Sequence, residues 1–418
     1  MQFLRYNLSD ISGFNNMIND DKDGKDGPSI LKLNKIKCRT SNNATYSVIR
    51  YDKNYLAYDL IPTYGLCRSI IVNSQNKVVS FAPPKSIPSD TFIKNYNEST
   101  SGIVAEEFVE GTMINVFWDP EIGLNGGWEI ATRNTPGATS SFFKGSGSNK
   151  TFRQMFLEAA EKNNLVFNML NPAYCYSFVL QHPDNRIVVS FKTTQLYLVA
   201  IYAIEHVDNN IYVNSGEPRS LLKEIFETIN VTVKFPEIYT FTSYSELIEK
   251  YGSMNTSYNI VGVVLHNRET GERAKIRNPV YEQVRNLRGN QPKLQYQYLT
   301  LRKEGKVSEF LKFYPENKKH FLGFRDQVHL FTNTLFDNYK ACYIKKEKSL
   351  KEYSDQYRTH MFNIHQIFLT ELRSENKFIT STIVQKYVNE LPSSLLMYCL
   401  NFHMRKRNVD TIKAESNI

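Results

Sequence analysis

The chain changes character near Pro279, and that change constrains its fold more than any other feature. Before it, short runs rich in β-branched and aromatic residues alternate with turn residues, the pattern of strands. Tyr46–Tyr51, Ser69–Val72, Lys77–Phe81, Val104–Trp118, Trp128–Thr132, Tyr174–Leu180, Ile187–Phe191 and Leu196–Ile204 read as strands. Asn259–Leu265 and Glu272–Ile276 read as a hairpin around Arg268-Glu269-Thr270-Gly271. Phe152–Asn163 is apolar at Phe152, Met155, Phe156, Ala159 and Ala160, a helical spacing, and Arg219–Ile229 and Ser245–Tyr251 also read as helices. After Pro279 the amphipathic windows Val307–Tyr314, Phe321–Tyr343, Leu350–Ser374 and Ile379–Leu391 leave little room for strands. The expectation is an α+β body over residues 1–300, built of antiparallel sheets with flanking helices, and an all-α C-terminal domain over 301–418.

Charge and cysteine usage narrow the function. Lys and Arg number 51 against 42 Asp and Glu, a net charge of +9. That balance suits a polyanionic partner, and equally a lysine-rich solvated surface. Cys38, Cys67, Cys175, Cys342 and Cys399 are scattered with no Cys-x-x-Cys pair, which argues against a zinc ribbon and a disulfide framework. The expected setting is reducing, intracellular and cytoplasmic. The N-terminus lacks a basic-then-apolar layout, and no apolar run reaches ~18 residues, so no membrane association is expected. Asp20–Gly27 resembles part of a calcium loop but lacks the distal glutamate and reads as a solvated turn. No histidine stands at metal-ligand spacing, and Gly145-Ser146-Gly147 reads as a turn rather than a phosphate loop.

The chemistry-bearing stretch is Glu107-Phe108-Val109-Glu110-Gly111-Thr112. Covalent nucleotidyltransferases carry Lys-x-Asp/Glu-Gly, whose amine attacks the α-phosphate of ATP or GTP. Here Phe108 occupies the lysine position, and no lysine lies between Ser99 and Phe143. Other pieces follow in order: Cys67-Arg68-Ser69-Ile70-Ile71, Phe81-Ala82-Pro83-Pro84-Lys85-Ser86, Ala131-Thr132-Arg133, Tyr176-Ser177-Phe178-Val179, Val261-Gly262-Val263-Val264 and Lys275-Ile276-Arg277. Over roughly residues 60–280 this order resembles the phage-type RNA ligase 1 family of the covalent nucleotidyltransferase superfamily, as a divergent member without the motif lysine. Chains of this type occur in phages and large DNA viruses.

The resemblance implies a nucleotidyltransferase, ATP-grasp-like ligase fold, with ATP or GTP as the nucleotide and Mg2+ as the metal. It implies nucleotide or phosphate contacts at Arg68, Lys85, Gly111, Arg133, Gly262, Lys275 and Arg277, loop positioning by Glu110, and purine stacking on Phe178. Arg68 and Arg133 read equally as surface arginines, and Phe178 as sheet core. The family's nucleophile and two acids are replaced by Phe108, Ser177 and Val261, the groups that would make the covalent bond and handle the metal. Downstream, Arg285, Arg288, Lys293, Arg302 and Lys303 interleave with Tyr296 and Tyr298, a composition that suits an RNA backbone or a solvated linker. Three readings stay open: an RNA-ligase-like binder of nucleotide or RNA ends, a noncatalytic RNA-binding or scaffold protein, and a transferase using a displaced lysine among Lys85, Lys144 and Lys275.

Overall fold

The computed structural model describes residues 4–19, 33–40, 43–141, 150–216, 219–291 and 293–404. The stretch Asp20–Gly27, Lys144 with its neighbouring glycines, and the basic tail from Arg405 lie outside the described residues. The chain divides into two compact units, Met1–Arg285 and Asn286–Ile418. The expected boundary at residue 300 falls inside helix Leu294–Lys303, which packs within the second unit.

Strands of the first unit are β1 (Arg5–Asn7), β2 (Leu33–Arg39), β3 (Thr45–Tyr51), β4 (Ile70–Val72), β5 (Val78–Phe81), β6 (Ile103–Glu107) and β7 (Thr112–Asp119). They continue as β8 (Gly127–Thr132), β9 (Tyr174–Gln181), β10 (Gln195–Val207), β11 (Asn210–Ser215), β12 (Ile238–Tyr239), β13 (Gly262–Asn267) and β14 (Arg273–Arg277). Among the described residues they form a six-stranded sheet β1-β11-β10-β9-β7-β8 and two four-stranded sheets, β12-β6-β13-β14 and β2-β3-β4-β5, with antiparallel pairing between neighbours. The α+β expectation of antiparallel sheets with flanking helices agrees with this arrangement.

Period-two alternation assigns the faces of the six-stranded sheet. Ile114, Val116, Tyr176, Phe178 and Leu180 point to one side, against Phe152, Met155, Phe156 and Ala159 of helix Phe152–Lys162. That helix begins at a Thr151–Gln154 capping box, which satisfies two backbone donors reciprocally. On the other side, Phe117, Ala131 and Cys175 join Tyr46, Ile49, Ile70, Ile71 and Phe81 of the β2–β5 sheet in a second core. The third sheet buries Ala105, Val263, Leu265, Ala274 and Ile276 against Phe92 and helix Tyr244–Tyr251.

Two strand expectations need correction. Val104–Trp118 is not one strand: the chain leaves the third sheet after Glu107 and enters the six-stranded sheet at Thr112. Ile187–Phe191 is not a strand either, because the Glu110 carboxylate takes the backbone N–H groups of Val188 (2.7 Å) and Val189 (3.1 Å) that a neighbouring strand would have used.

The second unit is helical, with Leu294–Lys303, Val307–Phe313, Lys318–Tyr339, Asp355–Ile367, Ser381–Glu390 and Ser393–Leu400 as its principal helices. Val328, Leu335, Met361, Ile364, Val384 and Val388 are fully buried. The expected long helices end in π-helical turns at Lys340–Ile344 and Phe368–Leu372. Buried His360 sits between the Tyr387 hydroxyl (2.9 Å) and Cys399 Sγ (3.1 Å), a pairing too distant in sequence for spacing to reveal. No described helix is long and apolar enough to cross a membrane.

Candidate functional site

The six-stranded sheet and the third sheet are the walls of a cavity of about 1480 Å³. Val179 and Tyr197 come from one wall, Glu107, Val264, Arg273 and Lys275 from the other. Phe108 to Gly111 is the segment by which the chain crosses between them. Gly111 has φ +146°, and a Cβ there would lie 2.4 Å from the Leu180 carbonyl oxygen. Only glycine fits that crossing. The close approach that the structure shows for Gly111 is to backbone of β9. Gly262 is the same kind of position at φ +136°, where a Cβ would lie 2.1 Å from the Ile276 carbonyl. Glu110 spends its carboxylate on the 188–189 backbone, so its geometry is that of a loop anchor, as the resemblance implies.

Phe108 stands at the cavity with two basic side chains on its ring. Lys275 Nζ lies 4.3 Å from the ring centroid and the Arg277 guanidinium 5.7 Å away. Period-two spacing along β14 puts Arg273, Lys275 and Arg277 on one sheet face. Arg273 was not among the residues singled out from the sequence, although its offset of two from Lys275 is the same signal that drew attention to Arg277. Arg273 donates to the carbonyls of Pro84 (2.9 Å) and Pro83 (3.3 Å), and Arg68 donates to Pro83 from the other side (3.2 Å).

These cations lie close enough to perturb one another. Burial, then the charges of Arg273, Arg68, Arg277 and Lys85, push the Lys275 amine down to about 6. Burial with Arg273 and Arg133 pulls Arg68 down to about 9. Lys85 is lowered by burial and then by Arg68, Arg273, Arg277 and Arg133. An amine lowered in this way is largely neutral at pH 7; the attraction of one aromatic face, ~1–2 kcal/mol, does not outweigh burial and four like charges. Arg68, Arg273 and Lys275 line the cavity, while Lys85, Arg133 and Arg277 act on it through charge. Lys85 donates to the Ser86 carbonyl (2.9 Å), Arg133 to the Tyr51 hydroxyl (3.3 Å), and Arg277 pairs with Glu282 (2.6 Å).

Two of the acids that line the cavity, Glu106 and Glu107, are engaged by neighbours. Glu106 is buried and paired with Arg219, with His266 Nε2 at 3.5 Å. Burial and three arginines push His266 down to about 4. Glu107 is raised by burial and by the nearby Glu237, and accepts from the Glu237 backbone N–H at 3.4 Å. Neither position that the resemblance assigns to a metal-handling acid could hold Mg2+. Ser177 is buried and donates to Asn115 (2.9 Å), Val261 is apolar core, and no described cluster of three His, Cys, Asp or Glu is placed to hold a metal ion.

One further expectation fails on geometry. Phe178 has 0% exposure and packs on Phe156 and Tyr176, so it is core and offers no face to a purine; Val179, one residue on, faces the cavity. Tyr298, among the downstream basic residues, is likewise core, against Phe321 at 5.1 Å. Arg285 lies by Glu282 (3.3 Å) in the first unit. Arg288, Lys293, Arg302 and Lys303 belong to the second, where Arg302 reaches Asn389, Lys303 reaches the Glu390 carbonyl (3.4 Å), and Lys293 is exposed.

The first unit is thus an α+β body of antiparallel sheets with a cationic cavity between two of them, bordered by a Glu-Gly loop. No family model matches the chain. Its sequence is 27% identical over 207 residues to an RNA ligase of Rhodothermus phage RM378, covering 44% of this chain and 45% of that protein. It is 22% identical over 302 residues to an immediate-early protein ICP-46 homolog of Invertebrate iridescent virus 6, covering 68% and 57%. By sequence the chain is thus similar to a phage RNA ligase and to viral ICP-46 homologs. It spans about half the length of the curated relatives it matches. Similar solved structures include an archaeal ATP-dependent RNA ligase (10% identity, 71% of this chain and 76% of that one, TM-score 0.41). Another is a Naegleria gruberi RNA ligase with ATP and Mn (15% identity, 48% and 56%, TM-score 0.33).

Proposed function

We propose that this chain is an RNA-ligase-like protein that binds the phosphates of ATP or GTP, or of an RNA end, in the cavity between its sheets, without conventional lysine adenylylation. One observation carries the reading: an unreactive Phe108 ring occupies the motif position while Lys275 and Arg277 crowd it. Phenylalanine forms no phosphoramide, yet a concentration of half-buried basic groups with no ion-paired acid at Arg68, Arg273 or Lys275 calls for an anion. The basic residues Arg285, Arg288, Lys293, Arg302 and Lys303 would add backbone attraction for RNA, and the proposed setting is intracellular.

A second reading has an observation of its own. Lys275 combines a largely neutral amine at pH 7 with a position beside the motif ring, which are properties of a displaced nucleophile. One experiment separates the two. The protein is incubated with α-labelled ATP or GTP and Mg2+ or Mn2+, bound label is measured at equilibrium, and the sample is then denatured in SDS. Saturable binding that SDS abolishes supports the binder. Label that survives SDS and disappears in Lys275→Met supports the displaced nucleophile. If neither nucleotide nor RNA binds, a scaffold role replaces both.

A further inference from the structure

We propose that the cavity takes its polyphosphate as the metal-free anion, with Arg68, Arg273 and Lys275 supplying the positive charge that a divalent cation would otherwise bring. This rests on the reading that the cavity binds phosphates, and names the form in which they bind.

Three features of the site point the same way. First, charge is concentrated on one wall. Arg68 and Arg273 converge on the Pro83-Pro84 carbonyls from two elements, β14 and the segment before β4, and so hold their guanidinium groups near each other. Lys275 follows Arg273 on the same face, and the ring of Phe108 is its neighbour in place of a carboxylate. Second, among the described residues no carboxylate forms an ion pair with Arg68, Arg273 or Lys275. Of the carboxylates that line the cavity, Glu106 is turned to Arg219 and His266 and Glu107 to the Glu237 amide, while Glu227 and Glu237 are exposed. Third, the two positions where the sequence pattern expects metal-handling acids hold Ser177, closed off in a hydrogen bond to Asn115, and buried Val261.

A divalent cation entering this wall would meet like charge at short range. A nucleotide already complexed with Mg2+ carries less negative charge than the free anion, so it gains less from the arginines. Arginine also offers a planar fork that grips two phosphate oxygens, and this supplies the orientation that metal coordination would otherwise impose.

The test is equilibrium binding of ATP and of inorganic triphosphate to the full chain, first in EDTA and then in excess Mg2+ at matched ionic strength. The inference expects affinity in EDTA to equal or exceed that in Mg2+, with a gain of about threefold or more for triphosphate, which has no base to share the binding. Affinity in EDTA threefold or more below that in Mg2+, for either probe, overturns it while leaving the cavity a phosphate site. Absence of binding under both conditions overturns the phosphate reading itself. A Glu107→Gln variant keeps the distinction sharp: lost Mg2+ dependence in that variant would place a metal at Glu107 and overturn the inference as well.

Discussion

Raising the pH should loosen polyphosphate binding through one amine. In the free protein Lys275 is held at about 6 by burial and by Arg273, Arg68, Arg277 and Lys85. A polyphosphate placed on that wall brings the opposite charge and draws the amine back toward its ordinary value near 10.5. Between those two values the bound form is protonated and the free form is not, so each binding event takes up about one proton. Affinity then falls roughly tenfold per pH unit, and from pH 7 to pH 9 the ceiling is ~100-fold, or ~2.7 kcal/mol. The assay is calorimetric titration with ATP at pH 6, 7, 8 and 9, in buffers of differing ionisation enthalpy so that proton uptake is counted directly. Lys275→Met should flatten the profile, and Lys275→Arg should flatten it while keeping tight binding, since arginine stays charged throughout. A wild-type protein that binds without proton uptake at pH 8, or a Lys275→Met variant with the same pH slope, would refute the reasoning. The same shift makes a stability statement. The unfolded lysine binds its proton up to near 10.5 while the folded one releases it above about 6. The unliganded protein therefore gains stability as pH rises between those values, and Lys275→Met removes that gain.

The remaining predictions concern the frame around the cavity. Gly111→Ala places a Cβ 2.4 Å from the Leu180 carbonyl at φ +146°, and should lower stability by ~3 kcal/mol or more in thermal or urea unfolding. Glu110→Gln weakens charge-assisted acceptance from Val188 and Val189; it should cost ~1–3 kcal/mol and speed hydrogen exchange at those two amides before others. Arg219→Gln leaves the buried Glu106 carboxylate without its arginine, and should cost ~3–5 kcal/mol with a new dependence of melting temperature on pH in the acid range. Phe108→Lys introduces an amine at the motif position; SDS-stable label appearing in that variant alone confirms the register of the motif.

The sequence revealed this architecture unevenly, for physical reasons. The helical C-terminal unit and most sheet strands were readable because their apolar periods are clean. The crossing at Phe108–Gly111 was not, because Val104–Trp118 is apolar enough to read as one strand. Only the left-handed φ of Gly111 and the capture of the 188–189 backbone by Glu110 show that it joins two sheets. Phe178 was misplaced because β9 is buried on both faces, and alternation in such a strand does not say which face meets the cavity. Arg273 was overlooked although it shares a sheet face with Lys275 and Arg277. A motif reading that starts at Lys275 stops one pleat short. The partners of Glu106 and His360 come from distant segments and left no local trace.

The central claim is that phosphates are held here by charge alone, without a bond to the protein. A crystal structure of the full chain grown with ATP in EDTA tests it most directly. The account predicts phosphate density among Arg68, Arg273 and Lys275, separated from every side chain by hydrogen-bonding distance. Density continuous with Lys275 or Lys85, or a nucleotide seated away from this wall, would contradict it.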